Sequence, residues 1–181
     1  MGEEGADITV YDKLFDEEEL SERRKLAKEI DVRTRTLSDT LKECSIIIST
    51  VTTQEARDAA IKSAALLHPN QIFVDLNSTS PRTKIEISKI ITDSGAVFVE
   101  GVILEAIETA GSKTRILLGG SDGQDVAYIL NRYGLNAIYY SPQIGKASAF
   151  KMFRSIFTKG VETLLLEMLV AGKRAGIEDD L

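Results

Sequence analysis

Two basic side chains lie next to each other near the start of a long apolar helix predicted over residues 145–169. Lys151 and Arg154 are three residues apart and therefore neighbours on the helix surface, with Ser155 on the same side. An ammonium and a guanidinium near a helix N-terminus, where the helix dipole adds positive potential, favour the binding of a carboxylate or phosphate. The alternative is that both side chains extend from a packed helix into water.

The apolar residues of this helix recur at steps of three and four, the period of a helix with one buried stripe. They are Phe150, Phe153, Phe157, Val161, Leu164, Leu165, Met168 and Leu169. The pattern predicts one helix from about Lys146 to Ala175, ended by Gly176.

Composition excludes several classes of protein. The chain has 181 residues with 22 Lys and Arg against 28 Asp and Glu, a net charge of -6, which argues against a basic nucleic-acid or membrane surface. Cys44 is the only cysteine, so no internal disulfide can form, and no histidine, cysteine or carboxylate cluster has the spacing of a metal site. No signal peptide and no apolar run of about 20 residues is visible, so we expect a cytoplasmic protein.

Short β-branched segments alternate with helical patterns before the long helix. This alternation predicts a mostly parallel sheet with helices on its faces. The predicted strands cover residues 7–11, 45–51, 72–76, 96–102, 115–120 and 136–140. Helices are predicted to begin at the acidic run 16–19, at Ser80 followed by Pro81, and at Ser121.

Asp12 follows the first predicted strand. In a dinucleotide-binding unit, an acidic residue at the end of the second strand receives the ribose hydroxyls of the adenosine half. The first strand and its glycine-rich turn should precede that residue by about 20 positions, but only residues 1–6 precede the strand here. We therefore expect a Rossmann-like domain that lacks its first β-α unit.

Several segments together resemble one enzyme superfamily. They are VYDK, SIIISTVT, VDLNSTSP, FVEGVILEA, GKASAFKMFRS, TKGVETLLLEML and AGKRAGIEDDL. The chain resembles the β-hydroxyacid dehydrogenases, which include 3-hydroxyisobutyrate and 6-phosphogluconate dehydrogenases. It is most similar to the NAD-binding branch that carries a C-terminal helical domain of uncharacterised function. The resemblance implies residues 1–144 as a partial NAD(P)-binding domain, and residues 145–181 as the interdomain helix and the start of a truncated helical domain.

The resemblance also implies catalytic residues. Gly145, Ala147 and Lys151 occupy a G-x-G-x-x-x-K pattern, with Ala in place of the second Gly, so Lys151 would be the catalytic base. Ser155 stands where better-known members have asparagine and would donate a hydrogen bond to a substrate hydroxyl. Lys146 and Arg154 would bind the substrate anion.

The cofactor contacts follow from the same resemblance. Asn77 and Ser78 fall in a loop that would contact nicotinamide and substrate, although Ser80 and Pro81 also explain that loop as a helix cap. Val51 and Thr52 would lie at the nicotinamide ribose. Asp12 favours NAD over NADP, because its carboxylate would repel a 2′-phosphate, while the adjacent Lys13 leaves NADP as the alternative.

The substrate loop departs from the family pattern. Many members have a serine and two glycines after the strand at 96–102, where this chain has Ile103, Leu104, Glu105 and Ala106. A close backbone approach to a carboxylate through glycines is therefore not expected. Glu105 and Glu108 would be general-acid candidates in another context, but two glutamates in a loop are more often solvated, and we interpret them as surface residues.

Two functions remain after this reading. The first is NAD(P)-dependent hydride transfer from a small hydroxy acid. The second is a truncated, non-catalytic fragment or assembly module that cannot bind a dinucleotide without the glycine-rich turn. In either case we expect the uncovered apolar face of the long helix to drive self-association into a homo-oligomer.

Overall fold

The described strands form two sheets, in a computed structural model that describes residues 5–16, 29 and 32–177. A two-stranded parallel sheet consists of β1 (Thr9–Val10) and β2 (Arg33–Thr34). The larger sheet has five strands: β3 (Ile46–Ser49), β4 (Ile72–Asp75), β5 (Val97–Ile103), β6 (Arg115–Gly119) and β7 (Asn136–Ser141).

The larger sheet keeps its strands in chain order, and only β5 and β6 are antiparallel to each other. The predicted mostly parallel α/β fold is confirmed, since each predicted strand overlaps an observed one. The sequence did not predict β2, because its two residues, Arg33 and Thr34, are polar and exposed.

Helices follow most of the strands, and a short 3₁₀ turn at Lys13–Asp16 follows β1. The α-helices are α1 (Leu37–Glu43), α2 (Ala56–Ala64), α3 (Pro81–Thr92), α4 (Ile107–Ala110), α5 (Gly123–Arg132) and α6 (Lys146–Ala175). The predicted start of α3 is confirmed: the Thr83 N–H donates to Ser80 Oγ at 3.1 Å, and Pro81 is the first helical residue.

Two other predicted helix starts have different outcomes. The prediction that Ser121 caps α5 is wrong, because the helix begins at Gly123 and the Ser121 hydroxyl bonds the Asp122 carboxylate instead. The acidic run 16–19 was predicted to begin a helix. Asp16 ends the 3₁₀ turn, and residues 17–19 lie outside the described part of the chain.

Apolar clusters cover both faces of the sheet. Successive strand residues point to opposite faces, so Phe73 and Phe98 pack on one side, whereas Val74 and Val99 pack on the other. The first cluster is completed by Ile87 and other residues of α1, α2 and α3, and the second by residues of α5. A sheet buried on both faces is the arrangement expected for βα units.

Helix α6 has 30 residues, begins at the predicted Lys146 and is followed by Gly176 with φ 71°. At about 1.5 Å per residue it is roughly 45 Å long, so that only its first part can pack on the sheet. Ala147 and Ser148 are buried there. The predicted apolar stripe is exposed along the rest of the helix, where Phe157 is 73% and Leu164 is 67% accessible. Within the described residues, no helix has both the length and the hydropathy to cross a membrane.

Candidate active site

An open cleft of about 430 Å³ lies where β3 and β4 end. The loop after β3 forms one wall, the loop after β4 forms another, and Ile103 and Ile107 close the side beyond β5. Ligands of open α/β sheets bind at the carboxyl ends of the strands. The sequence-predicted Val51, Thr52, Asn77 and Ser78 all line this cleft.

Asn77 joins the two loops that form the cleft. Its Oδ1 accepts from the Val51 N–H at 2.6 Å, and its Nδ2 donates to Ser49 Oγ at 2.9 Å. The residue is only 3% exposed. Both ends of the amide are thus used within the protein, and Asn77 holds the loop after β3 against the loop after β4.

Lys151 reaches the cleft from the second turn of α6. Its Nζ donates to Ser78 Oγ at 3.0 Å, and the backbone carbonyl of Ser78 accepts from Thr53 Oγ1 at 3.0 Å. Partial burial lowers the pKa of Lys151, because removal from water disfavours the charged ammonium. The structure thereby brings together the predicted base and the predicted loop.

The other predicted residues of α6 differ in position. Arg154 extends across the helix to the loop after β5, where its Nη1 donates to the Leu104 carbonyl at 3.2 Å. Ser155 is half-buried one turn after Lys151, and Lys146 is exposed at the first residue of the helix. Arg154 is therefore tied to the wall of the cleft that departs from the family pattern.

A buried ionic cluster lies under the cleft and was not predicted as part of the site. Asp75 ends β4, Glu100 is its register partner on β5, and Lys84 projects from α3; all three are 0% exposed. Lys84 Nζ lies 3.2 Å from Asp75 Oδ2 and donates to the backbone carbonyls of Asp75 at 2.6 Å and Gly101 at 3.2 Å. Burial lowers the pKa of Lys84, and the Asp75 carboxylate opposes that shift. The helical spacing of Lys84 with the buried Ile87 and Ile91 was the available signal.

The carboxylate of Glu100 binds the first turn of α6. Its Oε2 accepts from the Gly145 N–H at 2.6 Å, and its Oε1 accepts from the Ser148 N–H at 2.8 Å and from the Ser148 hydroxyl. Gly145 has φ 93° and no side chain with which to cap the helix. The anion-binding position that the sequence analysis expected at this N-terminus is thus filled by a carboxylate of the protein.

Asp12 follows β1 and is not among the residues that line the cleft. Its Oδ1 accepts from the Leu14 N–H at 3.0 Å. The neighbouring Lys13 pairs with Glu55 at 2.8 Å, a contact that lowers the pKa of Glu55 through a hydrogen bond and links this segment to the start of α2.

The Glu105 carboxylate is hydrogen-bonded to Arg115. The Arg115 Nε donates to Glu105 Oε1 at 2.6 Å and its backbone N–H to Oε2 at 3.0 Å, and these bonds lower the pKa of Glu105. A low pKa is the opposite of what a general acid needs. In the part of the chain that the structure describes, no group of three His, Cys, Asp or Glu residues could hold a metal ion.

Sequence comparison identifies the family. A sequence model described as the NAD binding domain of 6-phosphogluconate dehydrogenase matches residues 1–141. The chain belongs to this NAD-binding family. The resemblance inferred from the motifs is thereby confirmed, and all the residues that line the cleft lie within the matched range, whereas Lys151 lies beyond it.

Relatives of this family member are longer than the chain. An uncharacterised 28.5 kDa protein in the 7S RNA 5′ region of Methanothermus fervidus is 31% identical over 159 residues, which cover 87% of this chain and 60% of that protein. A conserved hypothetical protein from Sinorhizobium meliloti 1021 is 31% identical with a TM-score of 0.86, covering 99% of this chain and 60% of that one. The chain thus spans about 60% of the length of these relatives.

Two further structural neighbours carry descriptions of function. Conserved protein MTH1747, described as structurally similar to 3-hydroxyacid dehydrogenases, is 33% identical with a TM-score of 0.83, covering 99% of this chain and 66% of that one. An imine reductase from Myxococcus stipitatus, solved with NAD⁺ as a variant and with NADP⁺, is 20% and 21% identical with TM-scores of 0.82 and 0.80. It is matched over 97% and 98% of this chain and 60% and 62% of its own. At that identity the imine reductase shows a shared fold alone.

Proposed function

We propose that this family member contributes the cofactor site and the catalytic base of an NAD(P)-dependent oxidoreductase that oxidises a small hydroxy acid. The observation that carries the proposal is the 3.0 Å hydrogen bond from Lys151 Nζ to Ser78 Oγ at the mouth of the cleft. A bound nicotinamide would supply the hydride acceptor. The cleft volume of about 430 Å³ falls within the range of small-ligand sites, about 300 to 1,000 Å³, and four of its lining residues, Val51, Leu76, Ile103 and Ile107, are apolar.

Lys151 has the properties of a base for alcohol oxidation. The hydroxyl of a secondary alcohol must lose its proton as the hydride leaves the carbon, and a neutral amine at Nζ can accept that proton. Burial lowers the pKa of Lys151, which raises the neutral fraction near neutral pH. The hydroxyls of Ser78 and Ser155 would orient the substrate hydroxyl toward Nζ.

Arg154 and Lys146 would bind the substrate anion. The Arg154 guanidinium uses one donor on the Leu104 carbonyl, and other donors of the guanidinium would bind a carboxylate. Lys146 adds positive charge one turn before Lys151. The helix N-terminus itself is not part of this anion site, because Glu100 occupies it.

The cofactor would extend from the cleft toward Asp12. Val51, Thr52 and Ser78 would contact the nicotinamide end, while Asn77 holds their loops in place. Asp12 would receive the ribose hydroxyls of the adenosine half and favour NAD over NADP, since a carboxylate repels a 2′-phosphate.

Two measurements test the function. Calorimetric titration of the chain with NADH, and separately with NADPH, measures cofactor binding; micromolar binding of NADH is expected. Reduction of NAD⁺ in the presence of small hydroxy acids is then followed for the native protein, Lys151→Ala and the control Lys159→Ala, an exposed lysine on the same helix. Removal of a general base costs about 10² to 10⁴ in turnover. Equal turnover of the two variants would overturn the assignment of Lys151, and no heat from the folded chain at millimolar NADH would overturn the cofactor site.

The exposed half of α6 favours a second role in assembly. We define the apolar surface of α6 as the exposed side chains Phe153, Ile156, Phe157, Val161, Leu164, Leu165, Met168 and Leu169. A continuous apolar surface of this kind is typical of an interaction site. A second copy of the chain that presents the same surface would form a symmetric dimer through paired helices.

A further inference from the structure

The buried ionic cluster connects the two elements that form the Lys151–Ser78 hydrogen bond. On one side, Asp75 and Lys84 hold the start of the loop that carries Ser78, because Asp75 Oδ1 accepts from the Asn77 N–H at 2.9 Å. On the other side, Glu100 holds the first turn of α6. Asp75 and Glu100 are register partners on adjacent strands, so the two sides share one rigid base.

The space around Glu100 is formed by glycine. A Cβ atom at Gly119 would lie 2.8 Å from Glu100 Oε2, closer than a real Cβ contact allows. A side chain at this position of β6 would therefore displace the carboxylate from its place against α6.

The hydrogen bonds between Glu100 and the first turn of α6 determine the orientation of the helix more than they stabilise the fold. Burying charges costs several kcal/mol per ion, so buried ion pairs are often no more stabilising than apolar residues of similar volume. Hydrogen bonds from Gly145 and Ser148 to one carboxylate do, however, fix where α6 begins and which way its first turn faces. Lys151 lies six residues after Gly145, roughly 9 Å along the helix axis at about 1.5 Å per residue. A small tilt at the first turn would therefore move Nζ away from Ser78.

We infer that Glu100 is a positioning residue for Lys151. Glu100 holds the first turn of α6, so that Lys151 Nζ contacts Ser78 Oγ on the loop that Asp75 and Lys84 hold in place. This inference rests on the proposed role of Lys151 as the base. It adds a residue that touches neither cofactor nor substrate but determines the geometry of the group that does.

Competitive acetylation of lysines over a range of pH tests the inference without cofactor or substrate. The labelling midpoint of Lys151 is read by mass spectrometry, with the exposed Lys159 as the internal reference. Glu100→Gln keeps the shape of the side chain but turns an NH₂ group toward the N–H donors of α6. We expect the midpoint of Lys151 to move upward toward that of an ordinary lysine, with a tenfold lower neutral fraction for each unit moved.

The direction of the shift, compared with that of a variant that retains every charge, separates positioning from electrostatics. Loss of a negative charge by itself would disfavour nearby ammonium groups and move the midpoint downward. Lys84 interacts with Lys151, and Glu100 raises the pKa of Lys84, so that loss of the Glu100 charge can also act on Lys151 through Lys84. An upward shift that also occurs in a variant with every charge retained therefore reports loss of burial and of the Ser78 contact.

Two more variants make the outcome decisive. Gly119→Ala displaces the Glu100 carboxylate with every charge retained, and we expect a smaller upward shift. Val126→Ala, in the apolar cluster under α5, lowers stability away from the site and should leave the midpoint unchanged. No upward shift in folded Glu100→Gln, or an equal shift in Val126→Ala, would overturn the inference. If Glu100→Gln does not fold, Gly119→Ala decides by the same criteria. Failure of the proposed function appears separately, as turnover that does not depend on Lys151.

Discussion

Replacement of Asn77 by alanine should destabilise the protein, because the amide is bonded inside it. The side chain accepts from the Val51 N–H at 2.6 Å and donates to Ser49 Oγ at 2.9 Å. Each bond contributes about 1 kcal/mol, and the buried Ser49 hydroxyl left without its donor costs about 1 kcal/mol more. We expect Asn77→Ala to lower the free energy of unfolding by about 3 kcal/mol.

Urea unfolding followed by far-UV circular dichroism measures this change. For a domain of this size, about 3 kcal/mol corresponds to a fall of about 9 °C in Tm. Ser78→Ala is the matched control, since Ser78 is the next residue but exposed, and its effect should remain within about 0.5 kcal/mol. Lys151 labelling should respond to Ser78→Ala, because that variant removes the hydrogen-bond partner of Nζ.

One result would refute this reasoning. Suppose that the free energy of unfolding of Asn77→Ala lies within about 0.5 kcal/mol of the native value while cofactor binding is weakened. The amide then does not hold the two loops together. Asn77 would in that case contact the ligand directly, as the sequence analysis expected.

Three further predictions concern catalysis, cofactor choice and assembly. The rate of alcohol oxidation should fall as pH falls through the pKa of Lys151, with a midpoint below that of an ordinary lysine because burial disfavours the ammonium. A pH profile of kcat/KM measures this midpoint. A midpoint at or above the value of an ordinary lysine would contradict the prediction. Asp12→Asn should reduce the preference for NADH over NADPH in calorimetric titrations, and an unchanged ratio would place the ribose elsewhere. The native chain should self-associate in light scattering and Phe157→Glu should be monomeric, whereas a native monomer would contradict assembly through α6.

Local patterns were sufficient to predict the strands of the larger sheet, the start of α3 and the bounds of α6. The bounds of α6 follow from a long apolar period and a terminal glycine, and β3, β4 and β5 follow from β-branched runs that are buried in the sheet. The start of α3 follows from Ser80 and Pro81, whose capping geometry depends on neighbouring residues alone. The same reasoning gave a wrong prediction for Ser121, because its hydroxyl donates to the adjacent Asp122 carboxylate and does not cap α5.

The candidate site depends on pairings that no local pattern contains. Glu100 meets Gly145 and Ser148 across 45 and 48 positions of sequence, and Asn77 meets Ser49 across 28. A motif can place Asn77 in a loop near the cofactor but cannot show that its amide is already bonded. Lys84 was visible as a lysine in the buried spacing of α3, yet its partners on β4 and β5 are known only from the register of the sheet.

The position of Glu100 changes how the basic side chains of α6 should be understood. The sequence predicts one anion site formed by the helix N-terminus, Lys151 and Arg154. The N-terminus already binds a buried carboxylate, so its positive potential stabilises Glu100 and is not available to a ligand. Under the proposed function, a substrate anion would then be bound by side chains, above all by Arg154, and Lys151 would exchange a proton. In this proposal the first turn of α6 would orient the helix and its second turn would carry the reacting group, two tasks that the sequence alone combined.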